Sequence, residues 1–383
     1  MKKYAVFGAG MMGRVIAQDL VESEADAEVS VFDVSDSLLE EASAFVENDR
    51  LATRTLDVAD KNAAIQALRD RDVAVGALPH GISPTLVEAS VEAGTSLVDL
   101  VGSGPEQRAA LDGRAKENNC LIVPGCGVAP GISNLCVGQG VELLDHATSA
   151  VIYVGGIPRR KKPPLFYETV YLMESVFNAC ERPATIMRDG EQVTVEPLTG
   201  LETITFPDPI GALDAFYTDG LASLPLTMRG RIQKNLSEKT LRYPGYVERV
   251  HTLKQCGLLG TEPVRVGDVD VAPRDLLLEI LAEDLKLGPD GDILAMRVIV
   301  EGIKDKSPCR HNFELVDTYD PRRNHTAMAR TTGFPATITA RMIANNQLTE
   351  KGVLFPEQIF VGSRFEPMVE ALAEKGVRVT HNS

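Results

Sequence analysis

The sequence predicts an α/β protein: a doubly wound parallel sheet joined to a second domain of α+β character. Three observations carry that expectation. The first is Tyr4-Ala-Val-Phe-Gly-Ala-Gly-Met-Met-Gly13, an apolar run that reads as a strand and enters a GxGxxG turn. The second is a regular alternation of buried-type strands with helix-length segments up to about residue 130. The third is a change beyond that point to longer strands with antiparallel character, such as 293–301, whose apolar residues fall at 294, 296, 298 and 300.

The glycine turn comes first because it points to a ligand. Gly8 permits a tight turn, Gly10 lets the backbone approach a pyrophosphate, and Gly13 lets the next helix pack closely on its strand. Met11 and Met12 complete the turn at the helix start, where unpaired N–H groups and the helix dipole meet the anion. A helix-like segment follows over 14–20, and the second strand, 29–32, ends at Asp33, 20 residues past Gly13. A ribose-binding acid belongs at that spacing. Its carboxylate accepts hydrogen bonds from the 2′- and 3′-hydroxyls and repels a 2′-phosphate. No Arg or Lys follows in Val34-Ser-Asp-Ser37, so the expected cofactor is NAD.

Each later element follows from its pattern. A helix is predicted over 37–47, a third strand over 52–57, a helix over 61–69 and a buried strand over 73–78. Helices over 84–93 and 106–118 then lead to strands 96–100 and 121–124. Six strands with crossovers of the right length suit a parallel sheet. Beyond it, 150–154 and 293–301 read as strands, and the polar turn at 304–308 before 312–316 predicts a hairpin. A helix is expected over 273–284. The helix-compatible run 336–345 and the tail 355–360 look unlike that sheet and are expected to return to the cofactor domain. The domain expectation is therefore 1–131 with about 326–383 for the cofactor, and about 132–325 for substrate binding and dimerisation.

Composition sets outer bounds. The 383 residues suggest about two domains, and 24% charged with 44% apolar residues is ordinary for a globular chain. A formal charge of −15 argues against nucleic acid or an anionic membrane as a partner. No apolar run suits a bilayer span, and the first strand begins too early for a leader peptide, so the expected compartment is the cytoplasm. The six cysteines form no CxxC pair and no zinc-like spacing, which fits free thiols and no metal. Cys126, in Pro124-Gly-Cys-Gly-Val-Ala-Pro-Gly131, reads either as a reactive thiol or as a small residue packed beside a loop.

Several motifs together resemble the saccharopine dehydrogenase-like family, with the L-lysine 6-dehydrogenase branch closest. They are Gly8-Ala-Gly-Met-Met-Gly13, the 124–131 stretch followed by Asn134, Tyr153-Val-Gly-Gly-Ile-Pro158, Lys239-Thr-Leu-Arg-Tyr-Pro-Gly245 and Ala327-Met-Ala-Arg-Thr-Thr-Gly333. The resemblance implies a Rossmann domain completed by the C-terminal segment, an inserted domain that shapes the substrate pocket and often the dimer, and NAD-dependent oxidation of an amine-bearing carbon of an amino acid. In the lysine branch the product is allysine, which cyclises to a piperideine carboxylate. A saccharopine-type enzyme acting on a secondary amine and a non-catalytic dinucleotide-binding regulator are the competing expectations. Some lysine-oxidising relatives carry His where this chain has Tyr217, and many carry His at the position of Tyr246.

Hydride transfer requires a substrate C–H held about 3–3.5 Å from the nicotinamide, a group that takes the ammonium proton, and an anchor for the carboxylate. Ligands of an open α/β sheet lie beyond the carboxyl ends of its strands. Backbone at Ala77, Leu78 and Pro79 is expected to pass the nicotinamide ribose, with Gly127, Val128 and Ala129 lining the ring before a helix that begins near Pro130. Asp57 either bonds the adenine amine, as the resemblance favours, or caps a turn. For the base, His80 has a neutral form at neutral pH but also reads as a loop histidine at a pocket edge. Asp219 and Tyr217 form a second candidate pair, or else simple turn chemistry before Gly220. Arg242 is the preferred carboxylate anchor and Arg330 the runner-up, although either can brace domains instead. Tyr167 lines the pocket or dimer contact, or belongs to an aromatic core.

Overall fold

The computed structural model describes residues 1–170 and 173–383, and the chain divides into two compact units. The first comprises Met1–Asp145, Ala222–Arg231 and Ala329–Val379; the second comprises His146–Leu221, Ile232–Met328 and Thr380–Ser383.

In the first unit, strands β1 (Lys2–Phe7), β2 (Ala27–Asp33), β3 (Leu51–Thr55), β4 (Val73–Gly76), β5 (Ser96–Asp99) and β6 (Leu121–Pro124) form one parallel sheet. Its order is β6-β5-β4-β1-β2-β3, with the two-residue strand Gly352–Val353 outside β6. Strands covered on both faces must be apolar throughout. Tyr4, Ala5, Val6 and Phe7 of β1 are accordingly buried, as are all four residues of β4, β5 and β6. Helices α1 (Met11–Ser23), α2 (Asp36–Val46), α3 (Lys61–Leu68) and α4 (Ser83–Ala93) supply the crossovers. The single helix expected over 106–118 is two short ones, α5 (Pro105–Ala109) and α6 (Asp112–Glu117). They break at Ala110 and Leu111, between the two helices. Helix α7 (Ile132–Glu142) follows β6.

Two distant segments join this unit through buried polar contacts. Asp19 of α1, 3% exposed, accepts hydrogen bonds from the Thr337 hydroxyl and, at 2.6 Å, from Lys375 Nζ. Those contacts bring the C-terminal stretch back to the sheet. Residues Ala222–Arg231, which the sequence reading places within 132–325, cluster here as well. Ser223 and Thr227 donate their hydroxyls to the buried Glu357 carboxylate at 2.5 and 2.7 Å, and Asn134 Nδ2 donates to Ser223 at 3.2 Å. Nothing local in 222–231 announces a partner so far along the chain.

The second unit contains β7 (His146–Pro158), β8 (Ala184–Arg188), β9 (Glu191–Val195), β10 (Glu202–Phe206), β11 (Gly211–Tyr217), β12 (Ile232–Arg242), β13 (Val264–Val266), β14 (Val269–Val271), β15 (Asp292–Lys304) and β16 (Ser307–Thr318). Its main sheet runs β10-β11-β12-β7-β15-β16, with Val379–Asn382 outside β16. Only the β12–β7 pair along the path β10 to β16 is parallel. The expected hairpin is β15–β16, turning at Asp305 and Lys306, both with positive φ as a type I′ turn requires. The expected one-sided burial of 293–301 is incomplete. Ile293, Ala295 and Ile299 are buried on the second face, which carries an apolar cluster of its own with Tyr153, Ile157, Leu213 and Leu241.

Among the described residues, no helix is long and apolar enough to cross a membrane, and no group of three or more His, Cys, Asp or Glu could hold a metal ion.

Candidate cofactor and substrate sites

The turn between β1 and α1 has the geometry a pyrophosphate needs. Gly8 sits at φ +105°, and a Cβ there would strike the Ala77 carbonyl oxygen. A Cβ on Gly13 would strike the Gly8 carbonyl oxygen, so both glycines serve the close packing of β1, α1 and the loop after β4. Gly10 differs from both: a Cβ there meets nothing within 4 Å. It is the N-cap of α1, its backbone N-terminus has no side-chain cap, and the first turn carries no acid. Space, an uncapped helix N-terminus and the dipole coincide where an anion would bind, so these residues fit a dinucleotide.

Asp33 closes β2 as expected. Its Oδ2 accepts the Ala9 N–H at 2.7 Å and its Oδ1 accepts the Ser35 N–H at 2.9 Å. The same carboxylate that would meet a ribose therefore also shapes the glycine turn. Asp57 lies beyond β3, which ends at Thr55 rather than at 57, because Asp57 and Asp60 turn the chain into α3. Its exposed carboxylate accepts the Ala59 N–H at 2.9 Å, the bond of a turn cap. Ala77 donates its N–H to Phe7 at 2.8 Å, and Leu78 is half-buried while Pro79 is exposed. Gly127 and Val128 are buried, Ala129 is half-buried, and α7 starts at Ile132, just past Pro130.

His80 is exposed in the loop after β4, with Nδ1 at 3.1 Å from Ser103 Oγ in the loop after β5. That second loop is held from below. Arg108 Nε donates to the Ser103 carbonyl at 2.8 Å, while its Nη1 meets Asp99 Oδ2 at 2.8 Å and its Nη2 donates to Ser83 at 2.7 Å. Burial raises the Asp99 carboxyl pKa and Arg108 opposes the rise. Cys126 lies inside this unit, 3.3 Å from Thr339 Oγ1, and burial pushes its thiol up to about 12. A thiol so raised is a packed small residue rather than a nucleophile.

In the second unit, strand alternation sorts the candidates. Registry pairs Asp214 with Arg242 and Phe216 with Thr240, so these side chains share one face of β11 and β12. Tyr217 pairs with Lys239 and points to the other face. There Lys239 Nζ lies 4.7 Å from the Tyr217 ring centre and 2.5 Å from Glu202 Oε1. Tyr217 is thus not brought together with Arg242; the strand continues to residue 217 where the sequence suggested a turn. Asp219, exposed and past the strand end, lies close enough to Glu238 to raise its carboxyl pKa.

Arg242 lies over two aromatic rings, 4.7 Å from the centre of Tyr167 and 5.6 Å from that of Tyr246. Tyr246 stacks on Phe216 at 6.0 Å. Arg242 Nη1 donates to the Leu241 carbonyl at 2.8 Å, yet its buried Nε has no hydrogen-bond partner and, among the described residues, it forms no ion pair. Tyr167 is 1% exposed and belongs to the aromatic core, the second of the readings left open for it. Arg330 lies in the first unit, where Nη2 donates to the Lys375 carbonyl at 3.2 Å.

One residue escaped the sequence reading. Glu238, on the Arg242 face of β12, is 2% exposed and accepts the Thr218 hydroxyl at 2.8 Å and the Thr240 hydroxyl at 3.4 Å. Burial, with Asp219 adding to it, pushes its carboxyl up to about 8 against the two threonines and Arg242. The alternation Glu238, Thr240, Arg242 was the available signal, and it becomes readable once 232–242 is known to be a strand.

Comparison with known proteins agrees with this architecture. The family described as saccharopine dehydrogenase NADP binding domain matches residues 4–123, and that described as saccharopine dehydrogenase C-terminal domain matches 127–377. The saccharopine dehydrogenase [NADP(+), L-glutamate-forming] of Saccharomyces cerevisiae is 22% identical, over 98% of this chain and 97% of that protein. The mitochondrial alpha-aminoadipic semialdehyde synthase of Mus musculus is 21% identical over 84% of this chain and 42% of that protein. The solved structure of apo saccharopine dehydrogenase (L-Glu forming) from Saccharomyces cerevisiae shares the fold, with a TM-score of 0.82, 19% identity and coverage of 100% of this chain and 99% of that one. With both family domains matched in order along nearly its whole length, the chain belongs to the saccharopine dehydrogenase family, whose first domain binds a dinucleotide.

Proposed function

We propose that the chain is an NAD-dependent dehydrogenase that oxidises an amine-bearing carbon of an amino acid, in the manner of L-lysine 6-dehydrogenase. Arg242 carries this reading: a guanidinium seated on Tyr167 and Tyr246, with no ion pair among the described residues, is prepared for a carboxylate brought from outside. The oxidised nicotinamide, when bound, supplies the acceptor for the hydride. The chain's own residues do the rest. Gly8, Gly10, Met11, Met12 and Gly13 hold the pyrophosphate, Asp33 the ribose, and Arg242 fixes the substrate carboxylate.

Asp33 supports NAD over NADP, since its carboxylate would face a 2′-phosphate and the following residues offer no cation. The name of the matching family domain points to NADP, and the assay must therefore include both. The second reading, a saccharopine-type reaction on a secondary amine, is favoured by the name of the full-length yeast relative. It requires a second carboxylate anchor, and Arg330 is engaged with Lys375. The second unit is also proposed to form a homodimer, which light scattering on the purified protein checks.

The deciding experiment follows NADH and NADPH formation over a panel of amino acids, polyamines and saccharopine at alkaline pH. Turnover of a primary amine with NAD supports the proposal. Turnover of saccharopine alone favours the second reading, and use of NADP alone overturns the role given to Asp33.

A further inference from the structure

We infer that Glu238 receives the substrate's ammonium group and takes its proton; this rests on the amine-oxidising reading above. Glu238 and Arg242 are four residues apart on one face of β12. At about 3.3 Å per residue their backbones are separated by ~13 Å, so the two long side chains can address opposite charges on one small zwitterion. Arg242 suits the carboxylate, which leaves Glu238 for the ammonium.

The surroundings of Glu238 suit a cation brought from outside. A buried carboxyl is costly unless paired. Among the described residues Glu238 forms no ion pair; only the hydroxyls of Thr218 and Thr240 bond it, and these also lie 2.8 Å from each other. Gly220 packs against it so closely that any Cβ there would strike its carboxylate. The neighbouring strand β7 places Ile152 in register with it. The charged groups that influence it are Arg242 on its own strand and Asp219 beyond β11. A carboxyl in this setting exchanges its proton in the range where an amine dehydrogenase works.

The step balances without another reactant. The ammonium R–CH2–NH3+ gives one proton to the Glu238 carboxylate and becomes R–CH2–NH2. Its C–H bond then breaks, the electron pair leaves with hydrogen as hydride to the oxidised dinucleotide, and the nitrogen lone pair closes the C=N bond of R–CH=NH2+. The proton on Glu238 passes to solvent. Water later converts the imine to aldehyde and ammonium.

The test uses the intact enzyme with NAD and whichever amine the panel identifies. For wild type, kcat/KM is expected to rise through a limb near pH 8, and Glu238→Gln to lose that limb and at least 100-fold in kcat; His80→Gln should keep the limb. Retention of the limb and of kcat within threefold in Glu238→Gln overturns the inference. Should Glu238→Gln fail to fold, Thr218→Val replaces it and is expected to move the limb upward; an unmoved limb overturns the inference. Infrared difference spectra give a readout apart from activity: a protonated-carboxyl band titrating near pH 8 in wild type and absent in Glu238→Gln. Its persistence in the variant assigns it to another group and also overturns the inference. If wild type oxidises no amine, the functional proposal itself falls, a result distinct from an unaltered variant.

Discussion

The turn between β1 and α1 and the paired strands β11 and β12 are built on opposite principles. The turn is backbone: its shape comes from glycines in thirteen contiguous residues, and the features that suit an anion are N–H groups and open space at Gly10. The strand pair is side chain: Glu238, Thr240 and Arg242 of β12 meet Thr218, just past the end of β11, only because the two strands lie side by side. A site made of backbone announces itself in the local sequence, whereas a site made of side chains depends on which strand lies beside which.

Substituting within the turn tests the first half of that contrast and carries the largest expected effect. Gly13→Val should abolish folding of the first unit, because its side chain meets the Gly8 carbonyl. Gly10→Val should fold with unchanged melting temperature yet lose dinucleotide affinity, measured by NADH fluorescence. Equal loss of stability in both variants would break the distinction between packing glycine and ligand glycine.

The strand pair is probed next by Arg242→Met. Truncating one member of a charge pair costs about 2–5 kcal/mol, so KM should rise on the order of 100-fold while kcat falls less. A lowered kcat with unchanged KM would remove Arg242 from substrate anchoring. Asp33→Asn should have a smaller effect, shifting the NAD to NADP preference by roughly tenfold, about one unit of 1.4 kcal/mol. It should also lower stability slightly, since two backbone N–H groups lose a charged acceptor.

A pH titration of stability sharpens the contrast further. The ordinary carboxyl value for Glu238 is 4.5 and its folded value is about 8. Between those values the unfolded chain releases the proton while the folded chain keeps it, so stability falls as pH rises through this window. Glu238→Gln lacks that loss. Its melting temperature relative to wild type should climb from pH 5 to 8 and level off above, by a few degrees; a flat difference would remove the buried titration. Smallest of all, Cys126, raised to about 12, should resist a thiol reagent in the native state while exposed Cys256 reacts.

Much of the first unit is legible in the sequence. Continuous apolar runs bounded by glycine or aspartate mark β1, β2, β4 and β6, and their alternation with helix-length segments implies a parallel sheet. The misreadings share one cause. Tyr217 was paired with Asp219 as a candidate base because sequence alone did not show that β11 runs to 217, and that one fact sends Tyr217 to the opposite face from Arg242. Residues 222–231 were assigned to the wrong unit because Glu357, the carboxylate that holds Ser223 and Thr227, lies 134 residues beyond Ser223.

Sequence by itself therefore determined the α/β class, the glycine turn and Asp33 at the end of its strand. Those depend on residue type, local spacing and the period of hydrophobicity. Tertiary structure alone decided that Glu238 is buried beside two threonines and that Tyr217 faces away from Arg242. Burial and register are properties of which elements pack together, and a carboxyl's proton affinity follows from that packing rather than from its neighbours in the chain.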